Sequence, residues 1–388
     1  MKNLEHVLGV DVGGANTKFA LLEVPHPREE KGKRNEFGRA TSPLDVVPGH
    51  SGSRFLDQGT TFFPVWQKSL NELPSLLSEI RTRVEPKLEE AGTATAEKLK
   101  VRVTMTAELS DAYASKRVGV LHVAHACAEA FAGDDLAFLD VRGRFGDIQS
   151  VEMDPLAFAA SNWVATARYV GELHGDGLLI DCGSTTTDVV PILDGMPATS
   201  GRDDTSRLAA GELVYTGLLR PPLATVSQKV PLEGRWVPVS FEKFACMADV
   251  YFLLGDLHRS QYTCETADGR PVTRENCLAR VARVACGDDD GVDEEQVLLV
   301  CRHFKHEQLK MIRRGIFQVL SRIGRTFKDR GLDPVPTFLT GKGATVLEGE
   351  VGRWFPTRPI NLDGRLGNEG NVASSAVAVA ALQYLGVN

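Results

Sequence analysis

Gly175-Asp-Gly-Leu-Leu-Ile-Asp-Cys-Gly-Ser-Thr-Thr-Thr-Asp-Val-Val-Pro-Ile192 decides the fold, because Leu8-Gly-Val-Asp-Val-Gly-Gly-Ala-Asn-Thr-Lys-Phe-Ala-Leu-Leu22 repeats its grammar. Each stretch runs apolar to an aspartate (Asp11, Asp181), passes through small and hydroxyl residues (Gly13 to Thr17, Gly183 to Thr187), and turns apolar again. Both read as β-hairpins. A glycine turn lets backbone N–H groups converge on an anion, since no side chain blocks the approach. Candidate phosphate-binding residues are therefore Gly13, Gly14, Asn16, Thr17 and Lys18 in the first turn and Gly183, Ser184, Thr185 and Thr186 in the second. Asp11 and Asp181 are candidate ligands of Mg²⁺, which takes carboxylates together with waters and phosphate oxygens. A lone Asp-x-Gly-Gly turn is more often only a hairpin loop. Two copies with one offset between aspartate and hydroxyls point instead to a clamp on a polyphosphate.

A chain of 388 residues favours two domains with a cleft. Hydrophobic residues at 43% and charged residues at 24% are ordinary for a globular enzyme. The net charge of −7, without a long basic run, argues against a nucleic-acid partner. Seven scattered cysteines, none in a Cys-x-x-Cys pair, fit a reduced cytoplasmic setting better than a disulfide framework. Cys182 reads as a small buried residue rather than a nucleophile. No signal peptide is read at the N-terminus, and no apolar run approaches the roughly 20 residues of a membrane span. A soluble protein with no membrane partner is expected, and an oligomer is compatible with the sequence.

Along the chain, Pro25 to Ser53 reads as an exposed insertion and Val65 to Leu88 as an amphipathic helix. Lys100-Val-Arg-Val-Thr104 reads as a strand delivering Met105-Thr-Ala-Glu-Leu-Ser-Asp111 to its C-terminal end, where ligands collect in open α/β sheets. Glu108 and Asp111 are the candidates for general base or metal ligand; the competing reading makes Ser110 or Asp111 a helix cap. Val118 to Phe131 is expected helical, its His122 and His125 core or surface residues rather than metal ligands. Pro155 to Leu173 reads as a helix bearing Asn162, a candidate substrate contact. Arg202 and Arg207 are candidates for bidentate recognition of phosphate or carboxylate, with pairing to Asp203 and Asp204 equally open. Helices are expected over Phe241 to Leu257, Glu294 to Arg330 and Asn371 to Leu385, the last apolar all round and so buried against a sheet.

The paired turns resemble the two phosphate loops of the actin, sugar kinase and Hsp70 ATPase superfamily, and Thr340-Gly-Lys-Gly-Ala344 stands where that superfamily has its adenosine-side glycine loop. Met105 to Asp111, Ser161-Asn-Trp163, Gly211-Glu-Leu-Val-Tyr-Thr-Gly217 and Met247-Ala-Asp-Val-Tyr251 resemble the hydantoinase A/oxoprolinase family. Within it they look most like the branch of tetrahydromethanopterin-linked one-carbon transfer proteins, whose archaeal members are implicated in methanofuran biosynthesis. The resemblance runs nearly end to end.

It implies a two-domain actin-like ATPase (ribonuclease H-like) α/β fold with phosphate-binding hairpins facing a central cleft. The domains would be residues 1–172, with helix 371–388 packing back, and 173–370. It adds Gly341, Lys342 and Gly343 to the phosphate- or nucleotide-binding set. The activity implied is a condensation in which the phenol oxygen of a tyramine-type substrate displaces diphosphate from an aminomethylfuran carbinyl diphosphate. That implies Mg²⁺ and a small phosphorylated substrate. ATP-dependent hydrolysis of a cyclic amide, a small-molecule kinase and a non-catalytic nucleotide switch are the alternatives, each with ATP in the loops.

Overall fold

A computed structural model of the chain describes residues 4–25, 54–91, 98–287, 293–362 and 374–385. Most of the expected insertion at Pro25 to Ser53 lies outside them. The chain divides into two compact units, one of Met1–Leu179, Val190–Asp204 and Leu362–Asn388, the other of Ile180–Val189 and Thr205–Asn361.

The first sheet comprises β1 (Leu4–Val12), β2 (Asn16–Pro25), β3 (Arg54–Phe62), β4 (Lys100–Met105), β5 (Asp135–Leu139) and β6 (Phe145–Gly146), in the order β3-β2-β1-β4-β5-β6. β1, β2 and β3 are antiparallel neighbours, while β4 runs parallel to β1 and β5 parallel to β4. A three-stranded meander extended by parallel crossover strands is the ribonuclease H-like arrangement expected from the sequence. The register sets Asp11 opposite Lys18 on β2 and Thr104 on β4.

The second sheet is formed by β7 (Gly177–Cys182), β8 (Thr187–Leu193), β9 (Met196–Pro197), β10 (Leu213–Val214), β13 (Thr337–Thr340) and β14 (Ile360–Asn361). Its order is β10-β8-β7-β13-β14 with β9 beside β8. A separate hairpin joins β11 (Lys229–Leu232) and β12 (Arg235–Pro238).

Helices α1 (Leu73–Glu90), α2 (Lys116–Ala130), α3 (Ile148–Met153) and α4 (Asn162–His174) belong to the first unit, and α5 (Asp204–Ala210) begins at its last residue before the chain enters the second. The second unit holds α6 (Leu223–Val226), α7 (Met247–Leu253), α8 (Arg274–Arg283), the long α9 (Glu294–Asp329) and α10 (Ala344–Trp354). α11 (Ser374–Tyr384) returns to the first.

Three expected helices are shorter than their apolar patterns. The first begins at Leu73, with proline in its opening turn, and buries Leu76, Leu77, Ile80, Val84 and Leu88 at helical spacing. Pro155 to Leu173 breaks into a single turn at Pro155–Phe158 and then α4. Ala160 takes a left-handed φ of 50° there, and the Ser161 amide donates to Met105 rather than into a helix. Phe241 to Leu257 is helical only over Met247–Leu253. Before it, the Ser240 amide donates to Val284, and Cys246 caps the helix in extended conformation.

α11 packs on β1, β2, β4 and α4, with Ala376 to Ala380 and Leu382 fully buried, as an apolar helix without a polar stripe requires. Close approach is possible because β1 carries Gly9: a Cβ there would lie 1.9 Å from the Ala376 carbonyl oxygen. Gly9→Ala is expected to cost about 1–3 kcal/mol through overpacking, read as a lowered urea midpoint, with little change for Gly133→Ala beyond its backbone strain. An unaltered midpoint in Gly9→Ala would refute this packing of α11.

Candidate functional site

The two hairpin turns are built alike. Gly13 donates its amide to the Asn16 carbonyl at 3.1 Å, and Gly183 donates to Thr186 at 2.9 Å. Residues 13–16 and 183–186 are half-buried while Thr17 and Thr187 are fully buried. Flanking backbone occupies the turn carbonyls: Phe63 and Val65 donate to Ala15 and Gly14, and Leu218, Leu219 and Arg220 donate to Gly183 and Ser184. Among the described residues, the amides of Gly14, Ala15, Ser184 and Thr185 donate to no backbone carbonyl, as an anion-binding turn needs. Thr17 does not contribute a hydroxyl to the turn surface. Its Oγ1 is enclosed without a partner, and its counterpart Thr187 donates to the Thr216 carbonyl at 2.7 Å.

In the first unit the turn meets the segment after β4. Thr106 donates its amide to Val12 at 2.9 Å, and its Oγ1 would be 3.5 Å from a Cβ on Gly13. Asp11 is 2% exposed. Its Oδ2 accepts from Lys18 Nζ at 3.1 Å and from the Ser375 hydroxyl on α11, whereas its Oδ1 is buried without a partner. Lys18 is thus placed by Asp11, at the edge of the turn it was expected to serve.

Glu108 is 1% exposed, and among the described residues its carboxylate has no side-chain hydrogen-bond partner, only its own amide and that of Ala160 lying near enough to favour the charged form. Gly119 of α2 covers it so closely that a Cβ at 119 would fall 2.7 Å from the Glu108 Cα. Burial raises its pKa from the ordinary 4.5 to about 7; the charge of Asp204 adds to the rise, and Lys116 and nearby backbone amides oppose it. Lys116 and Asp204 pair with each other at 2.6 Å. Burial and the Glu108 charge hold the Tyr113 phenol up at about 12, its hydroxyl 2.9 Å from His122 Nδ1. Asp111, expected to share the role of Glu108, is instead exposed in the turn closed by Tyr113 and Ser110, outside the buried carboxylate site.

In the second unit Gly341 crosses Asp181. A Cβ at residue 341 would lie 2.3 Å from Asp181 Oδ1, and Gly341 has a φ of 86°, so both space and backbone demand glycine. Gly343 packs on Cys182, to whose carbonyl it donates at 2.9 Å. The glycine loop after β13 therefore lies directly on the mouth of the second turn. Lys342 Nζ donates to Thr263 Oγ1 at 2.8 Å. Burial pushes the Cys182 thiol up to about 12, in keeping with a packing residue.

Other candidates sit elsewhere. Arg207 is 2% exposed and pairs with Asp188 at 2.8 Å while donating to the Glu212 carbonyl, which makes it a fastener between β8 and α5 and not a ligand contact. Arg202 is exposed, and Asn162 turns its Oδ1 to the following amide, of Trp163, at 2.8 Å. His122 engages Tyr113 and His125 engages Glu152. Among the described residues, no three His, Cys, Asp or Glu side chains are grouped to hold a metal. Sequence reasoning missed Lys116 and Ser375; Ser375 meets Asp11 across 364 positions, a separation no local motif encodes. Nor, among the described residues, is any helix long and apolar enough to cross a membrane.

The profile of the hydantoinase/oxoprolinase family matches residues 100–347. A Methanocaldococcus jannaschii protein, (4-{4-[2-(gamma-L-glutamylamino)ethyl]phenoxymethyl}furan-2-yl)methanamine synthase, is 30% identical over 377 residues, 97% of each chain. The Methanococcus vannielii protein of the same name is 29% identical over 208 residues, 53% of this chain and 89% of its own. Among solved structures, nucleotide-free acetone carboxylase is similar over 98% of this chain and 70% of its own at 12% identity, with a TM-score of 0.43.

A carboxyl that stays protonated to about pH 7 in the fold but ionises near 4.5 when unfolded stabilises the protein below pH 4.5, and that stability is lost as pH rises to 7. The loss is on the order of 3 kcal/mol. Glu108→Gln is expected to flatten this decline, its urea midpoint matching wild type at pH 5 and exceeding it at pH 8. An equal decline in both proteins would show that Glu108 is ionised at ordinary pH.

Proposed function

The chain belongs to the hydantoinase/oxoprolinase family, and on that premise we propose that it is an ether-forming synthase of the kind its two methanogen relatives are named for. The phenol oxygen of a tyramine-type substrate attacks the carbinyl carbon of an aminomethylfuran carbinyl diphosphate. A carbon–oxygen ether bond forms, the bond to diphosphate breaks, and the phenolic proton leaves to a base.

The observation that carries this reading is Glu108, whose buried carboxylate, without a side-chain partner among the described residues, and pKa near 7 make it a base at working pH. With Glu108 only 1% exposed, bulk water is kept from the proton it takes. In the first unit the Gly14 and Ala15 amides and the Lys18 ammonium offer positive charge to phosphate oxygens, and in the second the Ser184 and Thr185 amides do so. The residues fit Mg²⁺: Asp11 keeps a buried, unpaired Oδ1, and Asp181 stands at a mouth floored by backbone where Gly341 leaves out a side chain. A carboxylate with waters and phosphate oxygens is an ordinary Mg²⁺ set, so a larger cluster of protein ligands is not required at either turn. When bound, the ion would neutralise charge gathering on the departing diphosphate. The seven free cysteines suit the reducing cytoplasm in which this reading places the enzyme.

Release of diphosphate from the carbinyl diphosphate should depend on the added phenol. Glu108→Gln should lower kcat by about 100- to 10,000-fold with little change in diphosphate binding, and Asp11→Asn and Asp181→Asn should weaken Mg²⁺-dependent binding of diphosphate. Thermal stabilisation by Mg²⁺ with diphosphate, but not with ATP, is the accompanying result. Stabilisation by ATP alone, with ADP released on a cyclic amide, would overturn the assignment.

A further inference from the structure

Gln308 lies within α9 of the second unit and is 1% exposed, a burial that costs free energy unless its amide is fully hydrogen-bonded. Its Nε2 donates to Thr216 Oγ1 at 2.8 Å and to the Gly217 carbonyl at 2.7 Å, and its Oε1 accepts from the Tyr251 hydroxyl of α7 at 2.6 Å. An amide engaged on both sides has one orientation, since turning it over would set its oxygen against the Gly217 carbonyl. The segment that Gln308 grips is laid along α9. Gly315 leaves room for Val214, whose Cγ2 would lie 2.5 Å from a Cβ there, and Gln318 donates to the Ala209 carbonyl at 2.7 Å.

From Gly217 the segment runs onto the second turn. A Cβ at 217 would fall 2.7 Å from the Gly183 carbonyl oxygen and from the backbone of Thr185, so this residue is pressed against the turn. The next three amides take the turn's carbonyls: Leu218 donates to Gly183 at 2.9 Å, and Leu219 and Arg220 donate to Ser184 at 3.0 and 2.9 Å. In a planar trans peptide the carbonyl and the following N–H point in opposite directions. Fixing the Gly183 carbonyl toward Leu218 therefore aims the Ser184 amide away from it, and fixing the Ser184 carbonyl does the same for the Thr185 amide. Those are the two amides of this turn that have no backbone acceptor among the described residues.

We propose that Gln308 is a positioning residue for the second turn: by holding Thr216 and Gly217 it sets the peptide planes that present the Ser184 and Thr185 amides to the diphosphate of the substrate. On the synthase reading, on which this role depends, those amides meet phosphate oxygens. Gln308 acts on them only through residues 216–220. Tyr251 serves the same end one step back, because its hydroxyl keeps the Gln308 amide from turning over.

In the full chain with Mg²⁺, the affinity for diphosphate measured by titration calorimetry should fall about 3- to 10-fold in Gln308→Met, the range that a lost neutral hydrogen bond spans. Backbone hydrogen exchange at 218–220 in the ligand-free protein should quicken several-fold. Tyr251→Phe, which removes a single hydroxyl, should do both to a smaller extent and carries the test if Gln308→Met does not fold. Val300→Ala opens a cavity at a 4% exposed position of the same helix; it should lower the thermal midpoint and keep the wild-type affinity. Wild-type affinity in the more severe variant that folds, or an equal loss of affinity in Val300→Ala, would overturn the positioning role and leave the synthase reading standing. A wild-type chain that takes no diphosphate would overturn that reading itself, and the role of Gln308 with it.

Discussion

Asp11 has one carboxylate oxygen engaged and one bare, and the first unit is assembled around that difference. Enclosing a carboxylate costs several kcal/mol unless charge and hydrogen bonds compensate it. Compensation at Oδ2 comes from two directions: Lys18 across the hairpin and Ser375 from α11. The hairpin register, which sets residue 11 opposite residue 18, is therefore an electrostatic requirement as much as a packing one. So is the slot at Gly9, because α11 must come down onto β1 for Ser375 to reach its acceptor. The bare Oδ1 is a cost the fold retains at the end of a strand, beside a turn in which, among the described residues, the Gly14 and Ala15 amides lack backbone partners, where a cation and an anion together would remove it.

Much of this was legible in the residues. The Asp-to-glycine offset repeated in Asp11–Gly13 and Asp181–Gly183 foretold two turns closed by the same hydrogen bond, because backbone geometry follows directly from glycine placement. Glu108 was legible as a carboxylate delivered by an apolar strand, but its companion Asp111 was not separable from it. Three positions along a loop decide between 1% exposure and the surface, and that depends on Gly119 of a later helix. Arg207 misled for the converse reason. A guanidinium suits phosphate and carboxylate equally, and its carboxylate partner, Asp188, lies 19 residues away. The helix expected from Pro155 failed at Ala160, whose left-handed backbone no apolar periodicity announces.

The repeat is not symmetrical, and its asymmetry bears on how charge would be handled. Position 18 after the first turn is a lysine that leans onto Asp11; the equivalent position 188 is an aspartate that draws Arg207 away into β8 and α5. The first turn so carries a fixed cation, whereas the second is met by a backbone loop, Gly341 to Gly343, laid on Asp181 and Cys182. A lysine already paired with Asp11 competes with any metal for that carboxylate, since each positive charge weakens the attraction left for the next. Under the proposed reading Lys18 supplies permanent compensation for bound phosphate. At the second turn, glycine at 341 is what lets the loop after β13 lie against the Asp181 carboxylate.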